Sequence, residues 1–139
     1  MTSQLNVDTI VDKAGSGGSN VKMANTSTYV SDGGAVTQNT VQGLAKQWCE
    51  FEGEQSTISI DDSLNTASLT DNSTGNYNTN FTSVMTSVNY FAVGDTNAYR
   101  EVNTEKATTH VVIYVREAGT ANTVQDSSGA RCAVLGALA

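Results

Sequence analysis

Proline is absent from this 139-residue chain, which argues against PPII linkers and proline-braced enzyme loops. Histidine occurs once and cysteine twice. With Cys49 and Cys132 far apart and His110 alone, no ligand spacing for zinc exists, since a structural site takes about four such residues. Charge is scarce as well: 15% of the residues are Asp, Glu, Lys or Arg, against roughly 25% in ordinary soluble domains. The seven basic residues are scattered among fourteen acidic ones, for a formal net charge of −7. Counterion release from nucleic acid requires clustered Lys and Arg, and an anionic bilayer attracts basic amphipathic segments. Neither partner is expected. No apolar run approaches the roughly 18 residues of a membrane-spanning helix, so membrane insertion is not expected. Leucine and long helix-forming runs are also sparse, which argues against a helical bundle.

The beginning, Met1-Thr2-Ser3-Gln4, carries neither the basic nor the apolar region of a secretory signal. Folding in a cytoplasm is therefore expected, with Cys49 and Cys132 reduced and buried within strands. A disulfide would need neighbouring strands and an oxidising compartment.

Ser, Thr, Asn and Gly fill the space that charge and leucine leave. They suit turns, half-buried strands and surfaces read by hydrogen bonding. The chain changes character near Gly43. Before it, Leu5-Asn6-Val7-Asp8-Thr9-Ile10-Val11 begins as a strand with period-two alternation. Ala14-Gly15-Ser16-Gly17-Gly18-Ser19-Asn20 reads as a flexible turn. Val21–Met23 and Thr28–Val30 read as short strands, and the spacing from Val36 through Val41 to Leu44 suits a short helix. Segments of about 40 residues rarely fold alone without metals, disulfides or oligomerisation. Residues 1–43 are therefore expected to form an extended docking arm or shaft, with Leu5, Val7, Ile10 and Val11 as its docking residues.

Residues 44–139 read as an all-β head domain. Strands are expected at Gln47–Glu52, Thr57–Ile60, Ser68–Thr70, Tyr77–Phe81, Ser87–Gly94, Thr108–Val115 and Arg131–Leu138. Asp71–Asn76 reads as a hairpin turn built from residues that tolerate positive φ. Tyr77 and Phe81 share a face, Val88, Tyr90 and Ala92 oppose Phe91 and Val93, and the run from Val111 is apolar on both faces, as a central strand would be. About seven short strands separated by turns suggest an antiparallel β-sandwich or a jelly-roll-like or barrel-like fold.

The search for chemistry selects no catalytic set. His110 sits at the entrance to the most apolar strand, where a structural role or a place on a trimer axis is expected. No serine lies in a G-x-S-x-G elbow beside it. Gly15-Ser16-Gly17-Gly18 lacks the Gly-Lys-Ser/Thr and following helix of a phosphate loop. Asp71-Asn72-Ser73-Thr74-Gly75 hints at a calcium loop, but Asn76 and Thr82 stand where an EF-hand requires Gly and Glu. No enzyme activity and no cofactor are expected.

One set of motifs is more specific. Ala45-Lys46-Gln47-Trp48-Cys49-Glu50-Phe51-Glu52-Gly53, then Ser68-Leu69-Thr70-Asp71-Asn72-Ser73-Thr74-Gly75-Asn76-Tyr77-Asn78-Thr79-Asn80-Phe81, then Asn89-Tyr90-Phe91-Ala92-Val93-Gly94, occur in that order. Together they resemble the distal domains of tail-fibre and related virion proteins in phages of aquatic bacteria, of the cyanophage and pelagiphage kind. Leu5–Val11 with Ala14–Gly18 is similar to the shaft segment that precedes such domains. Ser73 stands where those proteins often carry Gly, and Thr86-Ser87-Val88 where they often carry Pro. The resemblance implies a homotrimeric, non-enzymatic virion protein, assembled in the host cytoplasm and often used in host recognition. Two placements fit. One is a short tail fibre, docked to tail or baseplate by its arm and presenting the β-domain to a host-surface glycan or protein. The other is a capsid decoration or cement protein forming trimeric knobs on the head. Candidate recognition residues lie in two turns: Asp71, Asn72, Ser73 and Asn76 in the first, Asp95, Asn97 and Tyr99 in the second.

Overall fold

The computed structural model describes residues 28–30, 37–39, 43–54, 56–97, 100–119 and 123–136. Their regular structure is all β, with no helix among the described residues. Strands β1 (Thr28–Val30) and β2 (Thr37–Asn39) form a two-stranded antiparallel ribbon. Eight further strands follow: β3 (Ala45–Glu52), β4 (Ser59–Leu64), β5 (Thr66–Ser73), β6 (Asn76–Phe81), β7 (Tyr90–Thr96), β8 (Arg100–Lys106), β9 (His110–Glu117) and β10 (Ala130–Gly136). They form two four-stranded antiparallel sheets, in the orders β4-β3-β10-β7 and β5-β6-β9-β8.

Period-two alternation decides which side chains face inward. Gln47, Cys49 and Phe51 of β3 are buried, as are Ala130, Cys132 and Val134 of β10. Tyr77, Thr79 and Phe81 of β6 and Val111, Ile113 and Val115 of β9 are buried from the other sheet. The apolar members of both sets belong to one core cluster, joined by Met85 and Tyr90 and flanked by Ile58, Ile60, Leu69, Ala92 and Val102. Two edge-to-face aromatic pairs cross between the sheets. Phe51 meets Tyr77 at 5.2 Å between ring centroids and 69° between planes, and Phe81 meets Tyr90 at 6.2 Å and 75°. Each such pair contributes about 0.5–1.5 kcal/mol beyond the area it buries.

Among the described residues the expected strands are present, with three corrections; the strands expected at Leu5–Val11 and Val21–Met23 lie outside the described residues. The region from Val36 to Leu44 is not a short helix where it is described: Thr37–Asn39 is strand β2, paired with β1. Local spacing suited either state, and pairing with Thr28–Val30 selected the extended one. The turn expected across Asp71–Asn76 is only Thr74–Gly75, because Ser73 and Asn76 still pair across the hairpin. Gly75 has φ of +64°, and a Cβ there would lie 2.6 Å from the Val115 carbonyl oxygen, so only glycine is at ease in that turn. The third correction is β8, which has no counterpart among the expected strands. It is an edge strand with one apolar side chain, Val102, and it is held by pairing along its whole length with β9. The expected central strand is borne out, since β9 lies between β6 and β8. The expected arm residues Leu5, Val7, Ile10 and Val11, and Tyr99, lie outside the described residues.

The register also gives the double layer two distinct poles. Ala45 pairs with Leu135 at the pole where β3 begins and β10 ends. Phe51, Ala130 and Thr96 align at the other, where Gly53, the Thr74–Gly75 turn and residues 123–129 also lie. Strands of this length separate the poles by about 25 Å.

Where the edge strands β7 and β8 of the two sheets approach, the backbone of Gly94 presses on Val102. A Cβ on Gly94 would stand 2.3 Å from Val102 Cγ1. Gly94→Ala is expected to cost about 1–3 kcal/mol in denaturant-monitored unfolding, as overpacking does. The double variant with Val102→Ala should lose less than the sum of the two single losses by about 1 kcal/mol or more.

Candidate functional site

Chemically distinctive side chains collect at the far pole and on the two outer sheet faces. At the far pole, residues 123–129 run across the open ends of both sheets and are held to each by hydrogen bonds. Glu117 N–H donates to the Thr123 carbonyl at 2.9 Å, and Gln125 N–H donates to the Val115 carbonyl at 3.1 Å. On the opposite sheet, Gly53 N–H donates to the Ser127 carbonyl at 2.9 Å, and Asn97 N–H to the Gly129 carbonyl at 3.2 Å.

Asp126 is the centre of this clasp. Its Oδ1 accepts from Gly75 N–H at 2.7 Å and from the Tyr77 hydroxyl at 2.5 Å. That hydroxyl also lies 3.1 Å from the Gly53 carbonyl oxygen. Tyr77 is fully buried. Burial first, then the hydrogen bond and charge of Asp126, push its hydroxyl well above the ordinary tyrosine range. Gly53 admits the ring because it has no Cβ: one there would sit 2.7 Å from the Tyr77 oxygen.

The described residues of the two candidate recognition turns lie at this pole, where residues 123–129 bond to Gly75 and Tyr77 on one side and to Asn97 on the other. Asp71, Asn72 and Ser73 are exposed and Asn76 is half-buried. Asn72 Nδ2 donates to Asn78 Oδ1 at 2.8 Å and lies 3.3 Å from Asn76 Oδ1, which fixes its amide along the hairpin edge. Asp95 is exposed, with a carboxylate oxygen 3.8 Å from Arg131 Nη1. Asn97 spends its side-chain amide on the clasp, donating to the Ser128 carbonyl at 3.1 Å. It remains exposed, as do Asp71, Asn72, Ser73 and Asp95. The clasp was not expected from the sequence. Its signal, Gln125-Asp126-Ser127-Ser128-Gly129, has ordinary loop composition.

The two outer faces differ sharply. On β4-β3-β10-β7, one row across the strands is Leu64, Trp48, Ala133 and Val93, and another is Ala45, Leu135 and Phe91. Phe91 is 63% exposed, Leu64 46% and Val93 45%. Beside them lies a charged row, Asp62, Glu50, Arg131 and Asp95, in which Arg131 Nη2 and Nε reach Glu50 Oε1 at 2.7 and 2.8 Å. A shallow depression of about 150 Å³ separates the apolar and charged rows over Val93, Asp95, Arg131 and Ala133. That is small beside the roughly 300–1,000 Å³ of drug-sized ligand sites.

The outer face of β5-β6-β9-β8 is polar. Asn76, Asn78 and Asn80 stand in line along β6, opposite Tyr114, Val112 and His110 of β9. Asn80 Nδ2 donates to Ser68 Oγ at 3.1 Å and Thr70 Oγ1 at 3.0 Å. The Tyr114 hydroxyl donates to Glu105 Oε2 at 3.0 Å, and the Arg116 guanidinium lies 5.8 Å from the Tyr114 ring centroid. His110 is half-buried at the start of β9, with Nδ1 3.0 Å from Thr109 Oγ1. Alternation marks both faces in the sequence: Phe91 and Val93 oppose Tyr90 and Ala92, and every second residue of Asn76–Asn80 is Asn.

Among the described residues, no group of three or more His, Cys, Asp or Glu side chains is arranged to hold a metal ion. Compared with protein-family models, with curated proteins and with solved structures, the chain matches none of them.

Removing the Tyr77 hydroxyl should loosen the clasp. Tyr77→Phe is expected to cost about 1–3 kcal/mol, because the one hydroxyl proton shared between Asp126 and the Gly53 carbonyl is lost. Its pH signature is specific. Above the ordinary tyrosine pKa near 10 the unfolded chain releases a proton that the native state keeps. The unfolded state then binds fewer protons, so stability falls as pH rises. The same sign applies from about pH 9 for Cys49, whose thiol burial pushes up to about 12, with the neighbouring Cys132 adding to the shift. Melting temperature followed from pH 7 to 11 should decline from about pH 9, and Tyr77→Phe should flatten the part of the decline above pH 10.

Proposed function

We propose that this chain is a non-enzymatic phage virion protein, a short homotrimeric tail fibre whose residues 1–43 dock on the tail or baseplate and whose β-sandwich meets the host surface. The observation that carries the reading is the polarity of the double layer. The chain enters β3 at one pole, while the exposed hairpin tips and the clasp lie at the other. An attachment protein needs that separation, because the anchored end and the recognising end must not compete for the same surface.

Two further features support it. The in-order motifs that resemble tail-fibre distal domains fall on structurally demanding positions: Gly53 and Tyr77 in the clasp, Gly75 in its turn and Gly94 of β7 against Val102 of β8. The apolar outer face of β4-β3-β10-β7 gives each copy a surface to bury against another copy. Exposed aromatic and aliphatic side chains in one contiguous row are what an assembling protein covers. In this reading the recognition surface is the Asp71–Ser73 hairpin edge with Asp95, for a host-surface glycan or protein.

Light scattering on the purified chain should give three times the 14.6 kDa chain mass. Phe91→Asp with Val93→Asp should drive it toward monomer while leaving the far-ultraviolet spectrum of the β-domain in place. A well-folded wild-type monomer would overturn the trimer. Location is tested by negative-stain imaging of virions with a labelled antibody against this chain. Label at the tail tip is the expected result. Label on the heads would overturn the fibre and assign a cement protein instead.

A further inference from the structure

We propose that Cys49 and Cys132 form a latent disulfide site, oxidised to a cross-strand bond between β3 and β10 by a low-molecular-weight disulfide such as oxidised glutathione. The two residues are direct partners in the antiparallel register. Directly opposed residues in such a pair have Cα atoms about 4.5–5.5 Å apart, inside the range of about 4.4–6.8 Å that a disulfide spans. Both side chains point into the core, 1% and 4% exposed, and both are free thiols. The register thus brings them within a disulfide's reach.

The surroundings suit the link. Cys132 Sγ lies 3.5 Å from Thr79 Oγ1 and 3.6 Å from the Gln47 side-chain amide. Those are weak sulfur contacts. Gln47 keeps a stronger bond, from Nε2 to Thr66 Oγ1 at 2.9 Å, whether or not the sulfurs are joined. Burial raises both thiols above their ordinary pKa, which disfavours the thiolates that must attack. The pair is therefore slow to react while the fold is closed and resistant to reduction once linked.

The chemistry balances without any further reagent. One cysteine thiolate attacks a sulfur of the small disulfide, breaks its S–S bond and expels the first small thiolate. The other cysteine then attacks the mixed disulfide and expels the second. One S–S bond forms in the protein for the one broken in the reagent. Two electrons pass to the reagent, and the two thiol protons end on its two released thiols. The bond would close a loop of roughly 80 residues and tie the first strand of the double layer to the last, which constrains the unfolded chain strongly. The proposal does not rest on the virion reading. If that reading holds, the pair would be reduced during assembly in a cytoplasm and would close after release.

The test uses the full chain, reduced and then equilibrated with oxidised and reduced glutathione. It is done both on the native protein and during refolding from denaturant, so that slow access to the sulfurs is not mistaken for unsuitable geometry. The expected product is an intramolecular link that lowers the mass by about 2 Da, maps to the peptides holding Cys49 and Cys132, and raises the melting temperature by roughly 10 °C or more. Native oxidation should accelerate with sub-denaturing urea. Cys49→Ala and Cys132→Ala should show no oxidation-dependent change in melting temperature. Two alkylatable thiols at equilibrium, glutathione retained on both cysteines, or a link that lowers the melting temperature would each overturn the proposal. The wild-type peptide map and melting shift decide it even if a variant does not fold.

Discussion

The bond from the Tyr77 hydroxyl to Asp126 holds the far pole together, and much of the molecule is arranged so that it can form. Tyr77 rises from β6, crosses the core edge-to-face against Phe51 of the opposite sheet, and emerges under residues 123–129. Gly53 is bare to let the ring past, and Gly75 turns sharply enough to aim its own N–H at the same carboxylate. A buried phenol without a partner would cost about 1–3 kcal/mol. With Asp126 and the Gly53 carbonyl in place, that same phenol joins two sheets and a loop. The near pole repeats the device. Tyr90 packs edge-to-face against Phe81, and its hydroxyl donates to the Ala107 carbonyl at 2.7 Å. Each pole thus has one Phe–Tyr pair crossing the layers and one hydroxyl fastened to the backbone of a connection.

Between these fasteners the core contains more polar side chains than its small size would suggest. Gln47 and Thr79 are fully buried, one from each sheet, and meet at Cys132. A slip of one residue in either sheet would turn them outward and bring Trp48 or Asn78 into the core. Their hydrogen bonds to Thr66 and the Val111 carbonyl are satisfied in one register only. Buried polar pairs of this kind stabilise little in net terms and discriminate strongly against alternatives. That is useful in a strand-rich chain with so few large apolar side chains.

Much of this was legible from residues alone. Alternation placed Tyr77 with Phe81 and opposed Tyr90 to Phe91, and the double-sided apolar run from Val111 identified the central strand. The features that escaped share one physical cause, which is that distant partners decide them. Arg100–Lys106 carries a charged, weakly apolar pattern and is a strand because β9 offers it a complete edge. Thr37–Asn39 is extended because Thr28–Val30 lies beside it. The clasp is ordinary loop sequence whose meaning comes from Gly53, Gly75 and Tyr77, all far earlier in the chain. Most of the candidate recognition residues lie on strand ends rather than in turns: Asp71, Asn72 and Ser73 close β5, Asn76 opens β6 and Asp95 belongs to β7. Asn97 is spent on holding the clasp, and the Asp71–Asn76 turn tightens to Thr74–Gly75.

The outer faces follow from the same alternation and complete the functional argument. A two-layer β protein must put every second residue outside, so the character of its surface is written by the residues that the core did not take. On one sheet those residues are Trp48, Phe91, Val93 and Leu64, and on the other they are Asn76, Asn78, Asn80 and Thr70. The amides and hydroxyls of the second face bond to one another across the strands, so that face is stable in water as it stands. The first face leaves Phe91, Val93 and Leu64 exposed to water, beside the Glu50–Arg131–Asp95 row that crosses it. In the proposed trimer such a charged row would set the rotation at which copies fit, because burying a misaligned Arg131 leaves a charge unpaired. Assembly through the apolar face would leave the amide face and the far pole outward, and in the proposed fibre would put the exposed hairpin edge where a cell surface can reach it.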